Sequence, residues 1–283
     1  MKIAVLSGKG GTGKTFVSVN LVSCAKNSVY ADCDVEEPNG YIFLKARNIK
    51  ESPVTRFIPE FDAHKCIKCK KCVEFCRFNA LALVGDKPKV FREVCHSCGG
   101  CKIVCPTGAI SEIKSEIGEI SIGKYEDITV ITGRMNPGES SGVPIIREVL
   151  DNCPNEGLTI IDCPPGSACT VMESIQDADY CLFVTEPTLF GLHNFKMVLE
   201  LVTIFKKPYG VLINKCDTEY NPIDEFCSEN NIPVLSHITY NKKLAQISAN
   251  GIIASEVNRE IRRVFIDLLA DIKNRAITEK SHI

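Results

Sequence analysis

The sequence lacks the features that would place a protein in or across a membrane. No apolar run among its 283 residues reaches spanning length, and the apolar start before the first glycine, Met1–Ser7, is too short for the core of a signal peptide. A strong charge of one sign is also absent, since 33 basic and 35 acidic residues give a formal net charge of −2. This balance argues against a general attraction to nucleic acid or to anionic lipid. We therefore expect a cytoplasmic protein with no nucleic-acid partner and no stable membrane insertion.

The sequence also lacks the character of a small disulfide-stapled secreted protein, although it contains 16 cysteines. Half of these cysteines lie in one short stretch of a long chain, a distribution typical of metal ligation. Solenoid repeats and low-complexity tracts are missing as well. The one internal duplication is the cysteine pattern itself.

Short β-branched runs alternate with longer helical patterns through most of the chain. The predicted strands are 3–6, 29–31, 128–132, 158–161, 181–184 and 211–213, and the predicted helices include 14–25, 143–150, 192–205 and 222–229. This alternation predicts an α/β fold with a mostly parallel sheet, helices on both faces, and ligands at the C-terminal ends of the strands. An apolar stripe between 257 and 272 predicts a last helix packed on the sheet rather than lying on a membrane.

The alternation stops between residues 58 and 116, where the sequence is rich in cysteine and short in helical periodicity. We therefore predict a discontinuous main domain, residues 1–57 and 117–283. Residues 58–116 are predicted to form a small inserted α+β domain.

A glycine-rich loop follows the first predicted strand and precedes the first predicted helix. Its residues are Gly8, Lys9, Gly10, Gly11, Thr12, Gly13, Lys14 and Thr15. This is the Walker A pattern of P-loop NTPases, in which backbone N–H groups and the helix N-terminus hold phosphate. Lys14 is predicted to bridge the β- and γ-phosphates, and the Thr15 hydroxyl to bind Mg²⁺. A glycine turn without function is the alternative, and the full pattern in this context disfavours it.

The second lysine of the loop, Lys9, resembles the signature lysine of the deviant Walker A group, which includes MinD and the nitrogenase iron protein. The resemblance implies that Lys9 reaches across a homodimer, in the ATP state, to the partner's nucleotide. Asp34 lies in a segment that resembles switch I, which implies that it positions or activates the attacking water. Asp162 lies in a segment that resembles switch II and is implied in the Mg²⁺ shell. The candidate catalytic residues are therefore Lys9, Lys14, Asp34 and Asp162.

A base-reading segment follows the strand predicted at 211–213. Asn214 and Asp217 stand in an Asn-Lys-x-Asp pattern, the one that GTPases use for guanine. The two-lysine loop resembles the ATPases instead, so we expect ATP, with GTP as the alternative.

Two cysteine runs repeat the same spacing and resemble a bacterial ferredoxin. In that pattern three cysteines of one run and the last cysteine of the other hold one 4Fe-4S cluster. The predicted first cluster is held by Cys66, Cys69, Cys72 and Cys105, and the second by Cys76, Cys95, Cys98 and Cys101. Structural zinc also suits two-residue cysteine spacings, but eight cysteines in this doubled order favour iron–sulfur clusters.

Two further cysteines lie in or near the switch-II-like segment. Cys169 stands seven residues after Asp162, and the resemblance to the nitrogenase iron protein implies a cluster ligand at that offset. The second ligand of such a bridging cluster would fall within 135–142, which contains no cysteine. Cys163 and Cys169 are thus speculative metal or cofactor ligands, and small core residues are the alternative.

Over nearly its whole length the chain resembles MinD-superfamily ATPases that contain an inserted ferredoxin domain. The resemblance implies a homodimer controlled by ATP and Mg²⁺, with two 4Fe-4S clusters. Hydrolysis would be coupled to electron transfer, or to assembly or delivery of a metal cofactor or iron–sulfur cluster, and a partner protein would receive electrons or cofactor. A redox-sensing, MinD-like spatial regulator that recruits a partner protein is the alternative. The sequence does not separate these roles.

Overall fold

The computed structural model describes residues 1–85, 87–216 and 221–280. Its strands are β1 Lys2–Leu6, β2 Val29–Asp32, β3 Arg47–Phe61, β4 Leu81–Val84, β5 Lys87–Val90, β6 Ile110–Tyr125, β7 Ile128–Met135, β8 Thr159–Asp162, β9 Tyr180–Thr185, β10 Tyr209–Cys216 and β11 Val234–Thr239. Its helices are α1 Lys14–Ser23, α2 Lys71–Phe75, α3 Gly100–Ile103, α4 Val143–Asp151, α5 Cys169–Ile175, α6 Leu189–Ile204, α7 Pro222–Glu229, α8 Lys242–Ala249, α9 Ala254–Val257 and α10 Arg259–Lys280. Single 3₁₀ turns lie at Gly40–Ile42 and Arg92–Val94.

One large sheet organises the main domain, with the strand order β11-β10-β9-β1-β8-β2-β7-β6-β3. The strands from β11 to β7 are parallel to one another, and β6 and β3 complete the sheet in antiparallel pairing. The predicted α/β fold with a mostly parallel sheet is confirmed. Because β10, β9, β1, β8 and β2 are adjacent and parallel, their C-terminal ends lie along one edge of the sheet, where ligands bind in such folds.

Apolar side chains cover both faces of this sheet. One layer packs α4, α5, α6 and α7 against the sheet, and the other packs α1 and α10. In α10, Phe265, Leu268 and Ile272 are buried in the second layer, as the apolar stripe predicted. None of the helices formed by the described residues is long and apolar enough to cross a bilayer.

The strands β3 and β6 form a long antiparallel ribbon that the sequence did not reveal. They pair from Arg47 opposite Lys124 to Phe61 opposite Ile110. The predicted domain limits at 58 and 116 therefore fall inside continuous strands, and the cysteine-rich segment lies at the far end of the ribbon. Pro53 interrupts the apolar pattern of β3, which is why no strand was predicted there. The strand forms nonetheless, because β3 lies at the edge of the sheet, where proline is tolerated.

The remainder of the cysteine-rich segment forms a small separate layer. The hairpin of β4 and β5 and the short helices α2 and α3 pack beside the end of the ribbon. Ile58, Ala80 and Cys95 form a small buried cluster at its centre.

Candidate functional site

The glycine-rich loop connects the C-terminal end of β1, an inner strand of the sheet, to the start of α1. Gly11 and Gly13 have φ of +82° and +93°, a backbone region that side chains disfavour. A Cβ at Gly8 would lie 2.3 Å from the carbonyl oxygen of Asn194, so the loop packs directly on α6. This curl presents the start of α1 to a cleft of about 890 Å³, whose walls include Gly10, Lys14 and Thr15. The loop thus has the shape that the Walker A prediction requires.

Lys14 lies at the bottom of this cleft among carboxylates. Its Nζ is 2.6 Å from Asp162 Oδ1 and 3.6 Å from Asp34 Oδ2. Burial of Lys14 opposes its charge, but the nearby Asp162 and Asp34 carboxylates outweigh burial and raise the Lys14 pKa above its ordinary value. The structure therefore brings together three of the predicted catalytic residues, from α1, the end of β2 and the end of β8.

Two neighbours of Asp162 were not predicted from the sequence. The Tyr30 hydroxyl on β2 donates to Asp162 Oδ2 at 2.9 Å, and the Ser18 hydroxyl on α1 donates to Asp162 Oδ1 at 3.1 Å. Both side chains are fully buried. In the sequence, the sign of their role was a hydroxyl at each of two core positions, because buried hydroxyls need hydrogen-bond partners. Together with Lys14 they fix the carboxylate of Asp162 from three sides.

Asp32, at the end of β2, and Asp34, two residues beyond it, differ in exposure. Asp32 is fully buried, and burial together with Asp162 raises its pKa to about 8, although the N–H of Gly40 donates to it at 3.0 Å. Asp34 lines the cleft, and its partial burial raises its pKa to about 6. A carboxylate with a raised pKa that faces the cleft suits the predicted role of Asp34 toward water.

Lys9 is paired within its own chain. Its Nζ lies 2.6 Å from Glu186 Oε2, and Lys215 Nζ lies 2.6 Å from Glu186 Oε1. Lys215 also donates to the carbonyl oxygen of Gly11 at 2.7 Å. Glu186 follows β9 directly and was not among the predicted site residues, because its two lysine partners are distant from it along the chain.

Asn214 supports the loop from β10. The Asn214 Nδ2 donates to the carbonyl oxygen of Thr12 at 2.8 Å. A Cβ on Gly13 would lie 2.3 Å from the Asn214 Nδ2, so only glycine fits there. An adjoining pocket of about 360 Å³ is lined by Asn214 together with Phe16 and Tyr240. The other predicted base-reading residue, Asp217, lies outside the described residues.

The eight cysteines of the predicted clusters line two separate cavities, four around each. One cavity is lined by Cys66, Cys69, Cys72 and Cys105, and the other by Cys76, Cys95, Cys98 and Cys101. These are the two interleaved sets that the spacing predicted. Each cavity is otherwise mostly apolar, with Phe61 and Ile110 in the first and Phe57 and Phe75 in the second. Four thiols in an apolar pocket are the donor set that a 4Fe-4S cluster requires, so the residues fit that group.

The two cysteine runs repeat one backbone conformation. Left-handed residues occur at equivalent offsets in both, namely Lys68 and Ser97, Lys70 and Gly99, and Asn79 and Gly108. The N–H of Ala80 points to Cys76 Sγ at 3.3 Å, and backbone N–H groups after Cys105 lower the pKa of its thiol against the effect of burial. The repeated conformation turns three cysteines of each run toward one cavity.

Sites for a single metal ion are not formed by the described residues. Within residues 1–85, 87–216 and 221–280, no three His, Cys, Asp or Glu side chains, those of the cysteine module included, are close enough to hold one metal ion. Cys163 is fully buried in the core, where burial raises the pKa of its thiol well above the ordinary value. Cys169 is exposed at the start of α5. The structure thus gives these two speculative ligands opposite environments.

The CobQ/CobB/MinD/ParA nucleotide binding domain matches residues 3–254 of this chain. The uncharacterised protein MJ0578 of Methanocaldococcus jannaschii is 30% identical over 281 residues, covering 96% of both chains. The uncharacterised ferredoxin MJ0199 of the same organism is 38% identical over 52 residues, which cover 18% of this chain and 84% of that protein.

A similar fold is found in the septum site-determining protein MinD complexed with Mg-ADP from Pyrococcus horikoshii. Its structure superposes with a TM-score of 0.59 at 17% identity, covering 96% of this chain and 95% of that chain. At this identity the likeness concerns the fold alone.

Proposed function

This chain belongs to the CobQ/CobB/MinD/ParA nucleotide-binding family, and we propose that it is an ATPase that couples ATP hydrolysis to electron transfer through an inserted ferredoxin-like module, residues 58–116. The observation that carries the proposal is the pair of four-cysteine cavities in the same chain as a P-loop cleft. A P-loop supplies nucleotide-dependent motion, and the cysteine sets supply ligands for redox centres.

The cleft residues account for ATP hydrolysis. The amides of the loop and the start of α1 hold the phosphates. Lys14 lies where phosphate oxygens compete with Asp162 and Asp34 for its ammonium group. Thr15 and Asp162 would hold Mg²⁺, which neutralises charge on the phosphates. Asp34, open to the cleft, orients the attacking water.

We propose that the ATP state is a homodimer. Lys9 lies in the glycine-rich loop, with its side chain partly exposed and balanced by Glu186. A cation that moves from Glu186 to the partner's nucleotide would stabilise charge on the transferring phosphoryl group.

The cysteine module supports electron transfer rather than metal delivery. When bound, two 4Fe-4S clusters would supply one-electron storage at low potential. All eight module cysteines surround the two cavities, Cys163 is buried in the core, and the exposed Cys169 belongs to no group of described side chains that could hold a metal ion. A carrier would need accessible thiols that release their cargo. The receiving partner is accordingly proposed to be an electron-accepting protein.

Two measurements on anaerobically purified protein test this function. We expect about eight iron and eight sulfide per chain, and hydrolysis of ATP in preference to GTP. After reduction with dithionite and desalting, Mg²⁺-ATP should change the rate at which the protein reduces an added one-electron dye. The same rate in the Lys14→Ala variant should not respond to ATP.

Stoichiometric zinc in place of iron would contradict the proposal, as would a dye-reduction rate that does not change when Mg²⁺-ATP is added. The spatial-regulator alternative requires instead that the ATP-bound protein be recruited to a surface. Co-sedimentation with vesicles of anionic lipid in the presence of a non-hydrolysable ATP analogue distinguishes the two. The proposed function requires that the protein remain in the supernatant.

A further inference from the structure

A buried arginine on the ribbon reaches into the second cysteine run. Arg56 lies on β3, opposite Ser115 of β6, and its side chain is almost completely buried. Its Nη1 donates to the carbonyl oxygen of Cys95 and its Nη2 to that of Arg92, both at 2.8 Å. The planar guanidinium thereby fixes the backbone at Cys95, the first cysteine of this run, and at the start of the Arg92–Val94 turn that precedes it.

The same guanidinium also forms an ion pair with a residue of the nucleotide domain. Arg56 Nη2 lies 2.5 Å from Glu139 Oε2. Glu139 belongs to the loop between β7 and α4, and the residues just before it, from Met135 at the end of β7 to Gly138, form part of the wall of the P-loop cleft. One ion pair therefore joins a wall of the cleft to the cysteine run.

The loop also contacts the segment that carries Asp34. The N–H of Met135 donates to the carbonyl oxygen of Val35 at 2.8 Å, and a Cβ on Gly142 would lie 2.4 Å from a Val35 methyl group. The N–H of Asn136 donates to Ile117 on β6 at 2.9 Å. A shift of Asp34 and Val35 on nucleotide binding cannot leave this closely packed loop in place.

The two cavities differ in their distance from this connection. Along β3, Phe57 lines the second cavity, whereas Phe61, four residues farther from the nucleotide domain, lines the first. Along β6, Glu112 lines the second cavity and Ile110 the first, while Gly118 pairs with Met135. The second cavity is the one that lies nearer to the cleft along both strands.

We propose that Arg56 and Glu139 are positioning residues that couple the nucleotide state to the second cysteine set alone. Nucleotide binding orders the loop from Met135 to Gly142, and the Glu139–Arg56 ion pair transmits that order to the backbone of Arg92 and Cys95. The first cysteine set does not receive this signal directly. The inference rests on the proposed function in requiring that the cleft binds nucleotide.

Hydrogen–deuterium exchange of the full, iron-loaded chain tests the coupling and needs no activity measurement. With saturating Mg²⁺ and a non-hydrolysable ATP analogue, we expect amide exchange across 92–101 to slow by about threefold or more, and exchange across 66–72 to change by less than about 1.5-fold. The Glu139→Ala and Glu139→Gln variants should lose the response at 92–101. The matched control is Glu112→Ala, which removes a carboxylate that pairs with Lys102 beside the same cavity, 2.9 Å away, and should keep the response.

Nucleotide binding is measured in the same samples by calorimetry, so that a failure of the proposed function can be distinguished from a failure of the coupling alone. Failure to bind nucleotide would overturn the proposed function and this inference with it. Normal binding with equal responses in both cysteine runs, or a full response in both Glu139 variants, would overturn the coupling alone. Loss of the response in the Glu112→Ala control would also overturn it, because the effect would then belong to any nearby carboxylate.

Discussion

Lys9 and Glu186 form an ion pair within one chain, with Nζ 2.6 Å from Oε2. Burial opposes ionisation of Glu186, but hydrogen bonds from Lys215 and Lys9 outweigh burial and lower the Glu186 pKa. The Lys9 ammonium also lies 5.3 Å from the centre of the Phe190 ring. The side chain proposed to act on a partner's nucleotide is therefore held beside its own cleft, and dimerisation must first separate it from Glu186.

Glu186→Gln should favour the ATP-state dimer. A partly exposed ion pair contributes about 0.2–1 kcal/mol, so its loss frees Lys9 at small cost. The ATP-analogue concentration that gives half-maximal dimer should fall by up to about fivefold, measured by size-exclusion chromatography with light scattering. Glu173→Gln is the control, because Glu173 pairs with Arg147 at 2.9 Å on α4, away from the glycine-rich loop. An unchanged midpoint in Glu186→Gln would show that the pair does not restrain Lys9.

Lys9→Ala should separate nucleotide binding from dimerisation. Loop amides and Lys14 hold the phosphates, so we expect nucleotide affinity to remain within about threefold of the parent, while hydrolysis falls by about two orders of magnitude or more because the trans cation is missing. Calorimetry and light scattering on the same samples provide both readouts. A variant that still dimerises normally with ATP would contradict the role across the interface.

Tyr30→Phe should weaken the support of Asp162 without changing the shape of the core. The lost hydroxyl donates to a buried carboxylate, and such hydrogen bonds contribute about 1.5–3 kcal/mol to the free energy of unfolding. We expect a destabilisation of that size by denaturant titration, together with a higher Mg²⁺ requirement for hydrolysis. Tyr125→Phe is the matched control, since its hydroxyl donates to the exposed Glu256 at 3.1 Å and should cost less than about 0.5 kcal/mol. Equal costs in the two variants would argue against a special role for Tyr30.

The sequence predicted those parts of the site that are continuous along the chain. The Walker A loop and the two cysteine runs are local patterns whose spacing determines their geometry. Tyr30, Glu186 and Arg56 were missed because each acts on a residue brought near only by the fold. Arg56, for example, donates to the carbonyl oxygen of Cys95 from β3 of the ribbon. Pro53 interrupts the apolar pattern of β3, so the sequence did not indicate a strand there.

Lys14→Ala should abolish hydrolysis and also destabilise the protein. Removing the ammonium leaves Asp162 buried beside Asp34 without its cation, and breaking a buried pair in this way costs about 3–5 kcal/mol. Phosphate release and denaturant unfolding measure the two effects. Lys215→Ala removes an exposed lysine that pairs with Glu186 beside the glycine-rich loop and should cost no more than about 1 kcal/mol. A stable Lys14→Ala variant would show that the carboxylates do not depend on Lys14 in the absence of nucleotide.

Paired cysteine substitutions test the interleaved assignment directly. If Cys66 and Cys105 hold the same cluster, the Cys66→Ala/Cys105→Ala double variant loses one cluster and retains about four iron per chain. Cys66→Ala/Cys76→Ala then removes one ligand from each cluster and should retain almost none. If each run instead held its own cluster, the two results would be exchanged. Cys169→Ala, an exposed cysteine outside the module, should keep the full iron content, so a loss there would mean that the count reflects general damage rather than ligand sets.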